Sequence, residues 1–181
     1  VAAVPGELTE VERLALAESL KRVGATSVML TDQVLAVAYG AGLPVAEPRG
    51  RMVIDVGAGV TGIAVISMAS VVQGGSVAVA GDEFDTAIAA HVRGRHQLLI
   101  GERTAERIKM EAGSACPLTG RLTVTAKGRC LGDGIPREVT LSDVDIREAL
   151  APSIQQILGA VRKVLEQAPP ELCADLVENG I

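Results

Sequence analysis

The sequence predicts an α/β protein whose helices pack on sheets through aliphatic side chains. Of its 181 residues, 48% are hydrophobic and 22% are charged, which is the balance of a folded chain and not of a disordered one. Aromatic residues are scarce, with one Phe, one Tyr and no Trp, so Val, Leu, Ile and Ala must fill the core. Three strand-like runs, at residues 52–56, 62–67 and 70–79, precede a series of helical runs, and this order favours helices packed on a sheet.

The first part of the chain predicts two short strands and two helices. A strand-like segment precedes Pro5. Thr9 and Glu12 form a T-x-x-E capping box for a helix that runs to about residue 22, and Gly24 is the expected stop. The elements that follow are a strand at residues 27–30, a helix at residues 32–41 and a loop at residues 43–51.

Two amphipathic helices are predicted after the three strands. Phe84, Ile88 and Val92 recur at every fourth position, which indicates a helix from about residue 81 to residue 96. A second helix is expected at residues 104–112 because its apolar residues also fall on one side.

The region from about residue 118 to residue 141 predicts a small two-stranded insertion. Residues 122–126 alternate like a strand, residues 132–134 form a turn, and residues 138–141 return as a second strand.

A long helix is predicted next, running to about residue 167. Ser142 with Asp145 suggests its capping box. Pro152 lies inside the pattern, so we expect a kink or a break there, and Pro169-Pro170 ends the helix.

The charge and cysteine content exclude several classes of protein. The net charge is −5 and no basic run is present, which argues against nucleic-acid binding. The three cysteines lack metal-ligand spacing and are interpreted as reduced thiols of a cytosolic protein.

No apolar stretch has the length of a membrane span. The chain lacks an initiator Met and opens on a strand, so both ends are expected to continue in a longer sequence.

The strongest candidate for a functional motif is the run D-V-G-A-G-V-T at residues 55–61. It follows a buried strand, and its glycines let backbone N–H groups approach an anion such as phosphate. Asp55 at the strand end can orient a Mg²⁺-bound water, and Thr61 can donate a hydroxyl. The simpler interpretation is a tight glycine hairpin with an acidic residue at its rim.

A second candidate is the junction at Gly81 and Asp82, where a strand leads into a helix. The N-terminus of a helix offers free N–H groups and a partial positive charge to a phosphate. The simpler interpretation is that acidic residues complement the helix dipole.

A third candidate is the pair Glu106 and Lys109, which share one helix face. A carboxylate can accept from a ribose hydroxyl while an ammonium donates to one. A solvated ion pair is the simpler interpretation.

The order and spacing of these segments resemble the MreB family of bacterial actin-like filament proteins. The resemblance covers nearly the whole chain. The matching segments are V-P at 4–5, T-E-V-E-R at 9–13, G-A-G-L-P-V at 40–45, D-V-G at 55–57, A-V-I-S at 64–67, G-D at 81–82, F-D at 84–85, L-I-G-E at 99–102, T-A-E-R-I-K at 104–109, E-A-G-S-A at 111–115, G-I-P-R at 134–137 and P-P-E-L at 169–172.

The resemblance implies an incomplete actin-like ATPase fold of the actin/heat-shock-chaperone superfamily. In that fold two lobes enclose a nucleotide, and this chain would supply the end of the first lobe (residues 1–48) and most of the second (residues 49–181), with a small β subdomain at about 118–141. The implied nucleotide-binding residues are Gly57, Ala58, Gly59, Val60, Thr61, Gly81, Asp82, Glu106, Lys109 and Gly113, with Asp55 as a catalytic residue that contacts the metal through water.

The departures from the family pattern concern hydrolysis. The family's hairpin usually reads D-[IV]-G-G-G-T-T-E, whereas this chain has Ala58, Val60 and Gly62 in place of a Gly, a Thr and the Glu. That Glu is a candidate for positioning the hydrolytic water, so its replacement predicts weakened hydrolysis. Gln33 stands where the family's E-E-P motif begins the second helix, and it resembles a water-orienting Gln of eukaryotic actin. Gln33 is therefore a candidate for a weak catalytic positioning role.

Two other nucleotide loops of the family have no counterpart in these residues. The family's D-x-G-[TS]-x-x-[TS] loop would lie before Val1 and its T-G-G-G loop after Ile181, so neither falls within residues 1–181. Phosphoryl transfer depends on several positioning elements at once, so a steep fall in nucleotide affinity and negligible turnover are expected of this chain.

The resemblance implies that the complete protein is cytoplasmic, binds ATP with Mg²⁺ and self-associates into filaments at the inner face of the membrane, with weak or absent nucleotide binding by this chain. Cell-wall elongation proteins and membrane proteins are the implied partners, without nucleic acid and without direct membrane insertion. A second hypothesis is an assembly or scaffold module that acts without nucleotide. A third is a sugar or acid kinase of the same superfamily, which the agreement outside the nucleotide motifs disfavours.

Overall fold

The structure, a computed structural model, describes residues 1–6 and 8–181 and divides into two units. Unit 1 comprises Val1–Ala78 and Gly159–Ile181, and unit 2 comprises Val79–Leu158. These boundaries differ from those of the predicted lobes, residues 1–48 and 49–181, which refer to the complete family fold and stay a prediction.

The α/β class is confirmed by strands and helices that alternate along the chain. The helices are α1 (Glu10–Arg22), α2 (Gln33–Gly40), α3 (Gly81–His96), α4 (Glu102–Ala112), α5 (Asp143–Gln167) and α6 (Pro170–Asn179). The strands are β1 (Ala2–Val4), β2 (Leu30–Asp32), β3 (Arg51–Val56), β4 (Thr61–Ser67), β5 (Ser70–Val77), β6 (Leu98–Leu99), β7 (Thr123–Cys130) and β8 (Pro136–Ser142).

The sheet that carries the candidate phosphate hairpin is an antiparallel meander in the order β3-β4-β5. Its middle strand, β4, is buried at nearly every position, whereas β5 alternates between exposed and half-buried residues. Val34 and Ala38 of α2 pack on this sheet in a core with Val53, Ala64 and Ile66. The three strands predicted from residue 52 onward are therefore confirmed, and α2 fixes one face of the hairpin's base.

The first helix begins where its capping box predicts. The Thr9 N–H donates to Glu12 Oε2 at 2.8 Å, and the Glu12 N–H donates to Thr9 Oγ1 at 3.3 Å. Gly24 follows the helix with φ of +107°, a conformation that glycine adopts without strain.

The second strand lies three residues later than predicted. The sequence favoured residues 27–30, whereas β2 begins at Leu30 and pairs in parallel with β1, with Val4 opposite Asp32. Pairing with β1 thus decided the position of this strand, and single-residue preferences did not.

Unit 2 contains a three-stranded sheet where the sequence predicted two strands. Strands β7 and β8 pair as expected, and the short strand β6 adds to β7 through Leu98 and Leu99. The core of this unit joins the sheet to α3, α4 and α5 through buried aliphatic residues that include Ile88, Ile108 and Leu141.

Helix α5 is continuous through Pro152, so a break there is wrong, whereas the kink stays a prediction. Pro152 is exposed, so water can solvate the carbonyl group that loses its N–H partner. The predicted cap is confirmed: the Ser142 N–H donates to Asp145 Oδ2 at 2.9 Å, and the Asp145 N–H donates to Ser142 Oγ at 3.3 Å.

Helix α6 was not predicted from the sequence. Pro170 ends the preceding turn and also begins α6, a position where proline's missing N–H costs nothing. The helix is tied to the start of β3 because the Gly50 N–H donates to Asp175 at 2.6 Å and Asn179 donates to the Gly50 carbonyl at 3.1 Å. Among the described residues, no helix combines the length and the apolar character that crossing a membrane requires.

Candidate phosphate hairpin and ribose-side residues

The hairpin between β3 and β4 presents unpaired backbone donors to solvent. The Gly57 N–H donates to the Val60 carbonyl at 3.1 Å and closes the loop. Within residues 1–6 and 8–181, the N–H groups of Ala58, Gly59 and Val60 make no hydrogen bond, and these residues are exposed. Consecutive free N–H groups in a tight loop form the kind of concavity that binds an anion.

Asp55 lies at the base of the loop and is held by the first residue of α2. Gln33 Nε2 donates to Asp55 Oδ2 at 2.9 Å. The bond orients both side chains and occupies one carboxylate oxygen of Asp55, because an ionised carboxylate only accepts. Asp32 caps α2 by accepting from the Val34 N–H at 2.9 Å, and this fixes where Gln33 begins the helix.

Gly62 is the cross-strand partner of Asp55 in the β3–β4 ladder. A Cβ atom built on Gly62 would lie 2.8 Å from Val34 Cγ2, which is closer than real Cβ contacts. Val34 itself is 8% exposed. The position where the family pattern places a Glu is therefore bordered closely by an apolar side chain.

Thr61, predicted to donate a hydroxyl to the nucleotide, is fully buried at 0% exposure. It opens β4 and pairs with Val56 and Val77 in the ladders on its two sides. Its side chain therefore does not reach solvent as the neighbouring loop residues do.

The predicted residues of unit 2 surround the first turn of α3. Lys109 Nζ donates to the Gly81 carbonyl at 3.0 Å and to Asp85 Oδ2 at 2.9 Å. The side chains of this ion pair are 19% and 16% exposed. Lys109 thus joins α4 to α3 and is not paired with Glu106. Asp85 Oδ1 is buried and has no hydrogen-bond partner among the described residues.

Glu106 lines a cavity of about 1030 Å³ together with Asp82 and Asp85. Arg93 and Arg103 also line the cavity, so its walls carry both positive and negative charges. The carboxylates in the lining offer acceptors for the hydroxyl groups of a ligand.

Gly113 ends α4 and has a structural role at that point. Its N–H donates to the Lys109 carbonyl at 2.8 Å. A Cβ at this position would collide with the same carbonyl oxygen, so only glycine fits here.

A cluster of His91, Asp145 and Glu148 in unit 2 is explained as an ion-pair network. Arg95 lies 3.6 Å from Asp145 and 2.9 Å from Glu148, so a cation already compensates both carboxylates. Hydrogen bonds from Ser142 hold the pKa of Asp145 below its usual range, and Arg95 adds to this effect.

The structure thus brings the predicted residues together in two sets, one in each unit. Gln33, Asp55 and the loop residues form the first, whereas Gly81, Asp82, Glu106 and Lys109 form the second. Sequence reasoning missed Val34 and Asp85 as parts of these sets. Val34 directly follows Gln33 at the start of α2, and Asp85 follows Gly81 by one helical turn, but neither pattern reveals a contact across the fold.

Comparisons with known proteins agree on one family. A family model described as MreB/Mbl protein matches residues 1–181. The cell shape-determining protein MreB of Escherichia coli (strain K12) is 48% identical over 178 residues, covering 98% of this chain and 51% of that protein. The cell shape-determining protein Mbl of Bacillus subtilis (strain 168) is 39% identical over 177 residues, covering 98% of this chain and 53% of that protein. The chain therefore spans about half the length of the curated relatives it matches.

Solved structures give the same result for the fold. MreB5 of Spiroplasma citri bound to AMPPNP superimposes with a TM-score of 0.95 at 36% identity, covering 99% of this chain and 54% of that one. A MamK double helical filament superimposes with a TM-score of 0.73 at 18% identity, covering 95% of this chain and 51% of that one. The fold is thus part of the actin-like ATPase fold, and the chain belongs to the MreB/Mbl family of cell shape-determining proteins.

Proposed function

We propose that this chain supplies part of the nucleotide-binding apparatus of an actin-like filament protein. The observation that carries the proposal is the set of unpaired, exposed N–H groups at Ala58, Gly59 and Val60 beside an Asp55 carboxylate fixed by Gln33. A polyphosphate would accept from these N–H groups, which otherwise bond only to water. MreB5 of Spiroplasma citri, similar over 99% of this chain, has been solved with AMPPNP and with ADP, which supports a nucleotide as the ligand.

The residues present fit a Mg²⁺ ion that arrives with the nucleotide. Mg²⁺ is usually held by one or two carboxylates through water together with substrate phosphates. Asp55 meets this requirement because Gln33 occupies only one of its carboxylate oxygens. When bound, the ion would neutralise phosphate charge, while Asp55 orients its water shell and the loop N–H groups hold the phosphate.

Glu106 is the residue we propose for the ribose side. It lines the same cavity as Asp82 and Asp85 of the first turn of α3. Lys109 is already bonded to Asp85 and Gly81, so its proposed contribution is to hold the first turn of α3 in place.

Slow hydrolysis is part of the proposal. At position 62 the family pattern has a Glu that is a candidate for positioning water, and here a glycine takes its place. Gln33 remains beside Asp55 and can accept from a water through its amide oxygen, which supports a weak positioning role.

Calorimetric titration with ATP and Mg²⁺ tests the proposed function. We expect measurable binding by the chain and a loss of about tenfold in affinity for Asp55→Asn, because the neutral amide orients metal-bound water less well. Glu18→Gln serves as a control, since Glu18 lies exposed on α1 and, among the described residues, forms an ion pair only with Arg22 at 3.9 Å. Absence of binding at millimolar ATP, or equal affinity for Asp55→Asn, would contradict the proposal.

Self-association into filaments is the activity we propose for the whole protein, in the cytoplasm and in support of cell-wall synthesis. The support comes from family membership and from the MamK filament, which shares the fold.

A nucleotide-independent assembly module is the second candidate function. The burial of Thr61 and the engagement of Lys109 by Asp85 favour it, because two residues predicted to contact nucleotide have internal positions. A titration without ATP binding, combined with retained self-association in sedimentation velocity, would support this candidate over the first.

A further inference from the structure

The first turn of α2 contacts both members of one cross-strand pair in the hairpin. Asp55 of β3 lies opposite Gly62 of β4. Gln33 bonds to Asp55 at 2.9 Å, and its neighbour Val34 borders Gly62 so closely that a Cβ there would lie 2.8 Å from Val34 Cγ2. Adjacent residues of one helix therefore contact the two positions that flank the base of the loop.

Val34 has little freedom to move away from Gly62. It is 8% exposed and packs with Ala38, Val53 and Ala64. A valine in a helix strongly prefers one χ1 rotamer, so it cannot swing its methyl groups aside without strain. The Asp32 cap also fixes the start of α2. A side chain at position 62 must therefore displace packed atoms.

A carboxylate at position 62 would meet a second obstacle. Directly opposite residues of an antiparallel pair have Cβ atoms about 4.5–5.5 Å apart, so a Glu there would face Asp55. Like charges at this separation repel each other, and the neutral Gln33 would not compensate them.

We propose that Val34 determines which residue fits at position 62 of this hairpin. It leaves room only for glycine there and so excludes a carboxylate from the face beside Asp55. The relevance of this exclusion to hydrolysis rests on the proposed function, whereas the packing relation does not. Residues 34 and 62 accordingly behave as a matched pair, in which a side chain at position 62 requires a smaller residue at position 34.

A double-mutant cycle on thermal unfolding tests the pair. Gly62→Ala in the otherwise unchanged chain should lower Tm by roughly 3–10 °C, because it overpacks a buried contact. In the Val34→Ala background, which removes Cγ2, the same Gly62→Ala change should not lower Tm further. If Gly62→Ala alone fails to fold while the double variant folds, the proposal is also supported. Equal losses in the two backgrounds, or failure of both variants to fold, would overturn it.

Gly75 provides a matched control in the same sheet. A Cβ there would lie 3.2 Å from Cγ2 of another valine, Val164. Gly75→Ala should therefore change Tm by the same amount whether position 34 is Val or Ala. Unequal changes would mean that Val34→Ala loosens the whole unit, and they would overturn the assignment of Val34 as the specific partner of position 62.

The electrostatic half of the proposal is tested in the Val34→Ala background. Gly62→Glu should have a lower Tm than Gly62→Gln at low salt, and the difference should shrink at high salt because the like charges are then screened. Equal Tm values at low salt would overturn this half. These stability measurements need no nucleotide, so their failure is separate from a failure of ATP binding in the calorimetric titration.

Discussion

At the residue scale, Lys109 shows how an expected ligand contact becomes an internal bond. Its ammonium joins Asp85 and the Gly81 carbonyl, and both charged side chains are mostly buried. Removing one partner of such a pair leaves the other charge without compensation, which costs more than the pair contributes as a whole. The sequence spacing placed Glu106 and Lys109 on one helix face, but the carboxylate that bonds to Lys109 is Asp85 of α3.

Lys109→Met is expected to lower the free energy of unfolding by about 2 kcal/mol, because Asp85 would stay buried without its cation. The double variant Asp85→Asn/Lys109→Met should lose less than the sum of the two single changes in urea denaturation. Lys127→Met is the control, since Lys127 and Glu138 form an exposed pair at 3.8 Å and should contribute little. A larger loss in the control, or strict additivity in the cycle, would contradict this account of Lys109.

At the scale of the element, locally encoded features were predictable and paired features were not. The capping boxes at Thr9 and at Ser142 depend on residues three positions apart, so the sequence shows them directly. Strand β2 was placed too early and β6 was missed because each exists through pairing with a distant strand. Pro169 and Pro170 were interpreted only as a stop, although Pro170 is the first residue of α6.

The cap of α5 gives a pH-dependent prediction. Bonds from Ser142 lower the pKa of Asp145 from its ordinary value of 3.8, so their stabilisation is present above that value and is lost as pH falls through the lowered pKa. Ser142→Ala should cost about 1 kcal/mol of unfolding free energy at pH 7, and this difference should shrink as pH falls below 3.8.

Ser19→Ala is the control for the cap, because Ser19 Oγ donates to the Ala15 carbonyl at 2.8 Å and involves no titrating group. The loss of unfolding free energy caused by Ser19→Ala, measured by urea denaturation, should therefore not change as Asp145 is protonated at low pH. A Ser142→Ala difference that stays constant as pH falls from 7 to well below 3.8 would show that the bond to the Asp145 carboxylate is not its source.

At the scale of the whole molecule, family and fold were accessible from the sequence because matching segments extend over the entire chain. The site was accessible only in part. The loop at residues 57–60 is contiguous and was identified, whereas the contact of Val34 with Gly62 joins separate elements and required the structure. Packing between distant residues is what a single sequence does not display.

The proposed function requires that the loop N–H groups bind the phosphate of a nucleotide. Amide chemical-shift mapping by NMR during titration with ATP and Mg²⁺ tests it most directly in a chain of 18.6 kDa. The account predicts saturable shifts at the amides of Ala58, Gly59 and Val60, and predicts that these shifts weaken in Asp55→Asn. Unchanged amides at these three residues, while ATP binds or perturbs other parts of the chain, would contradict it.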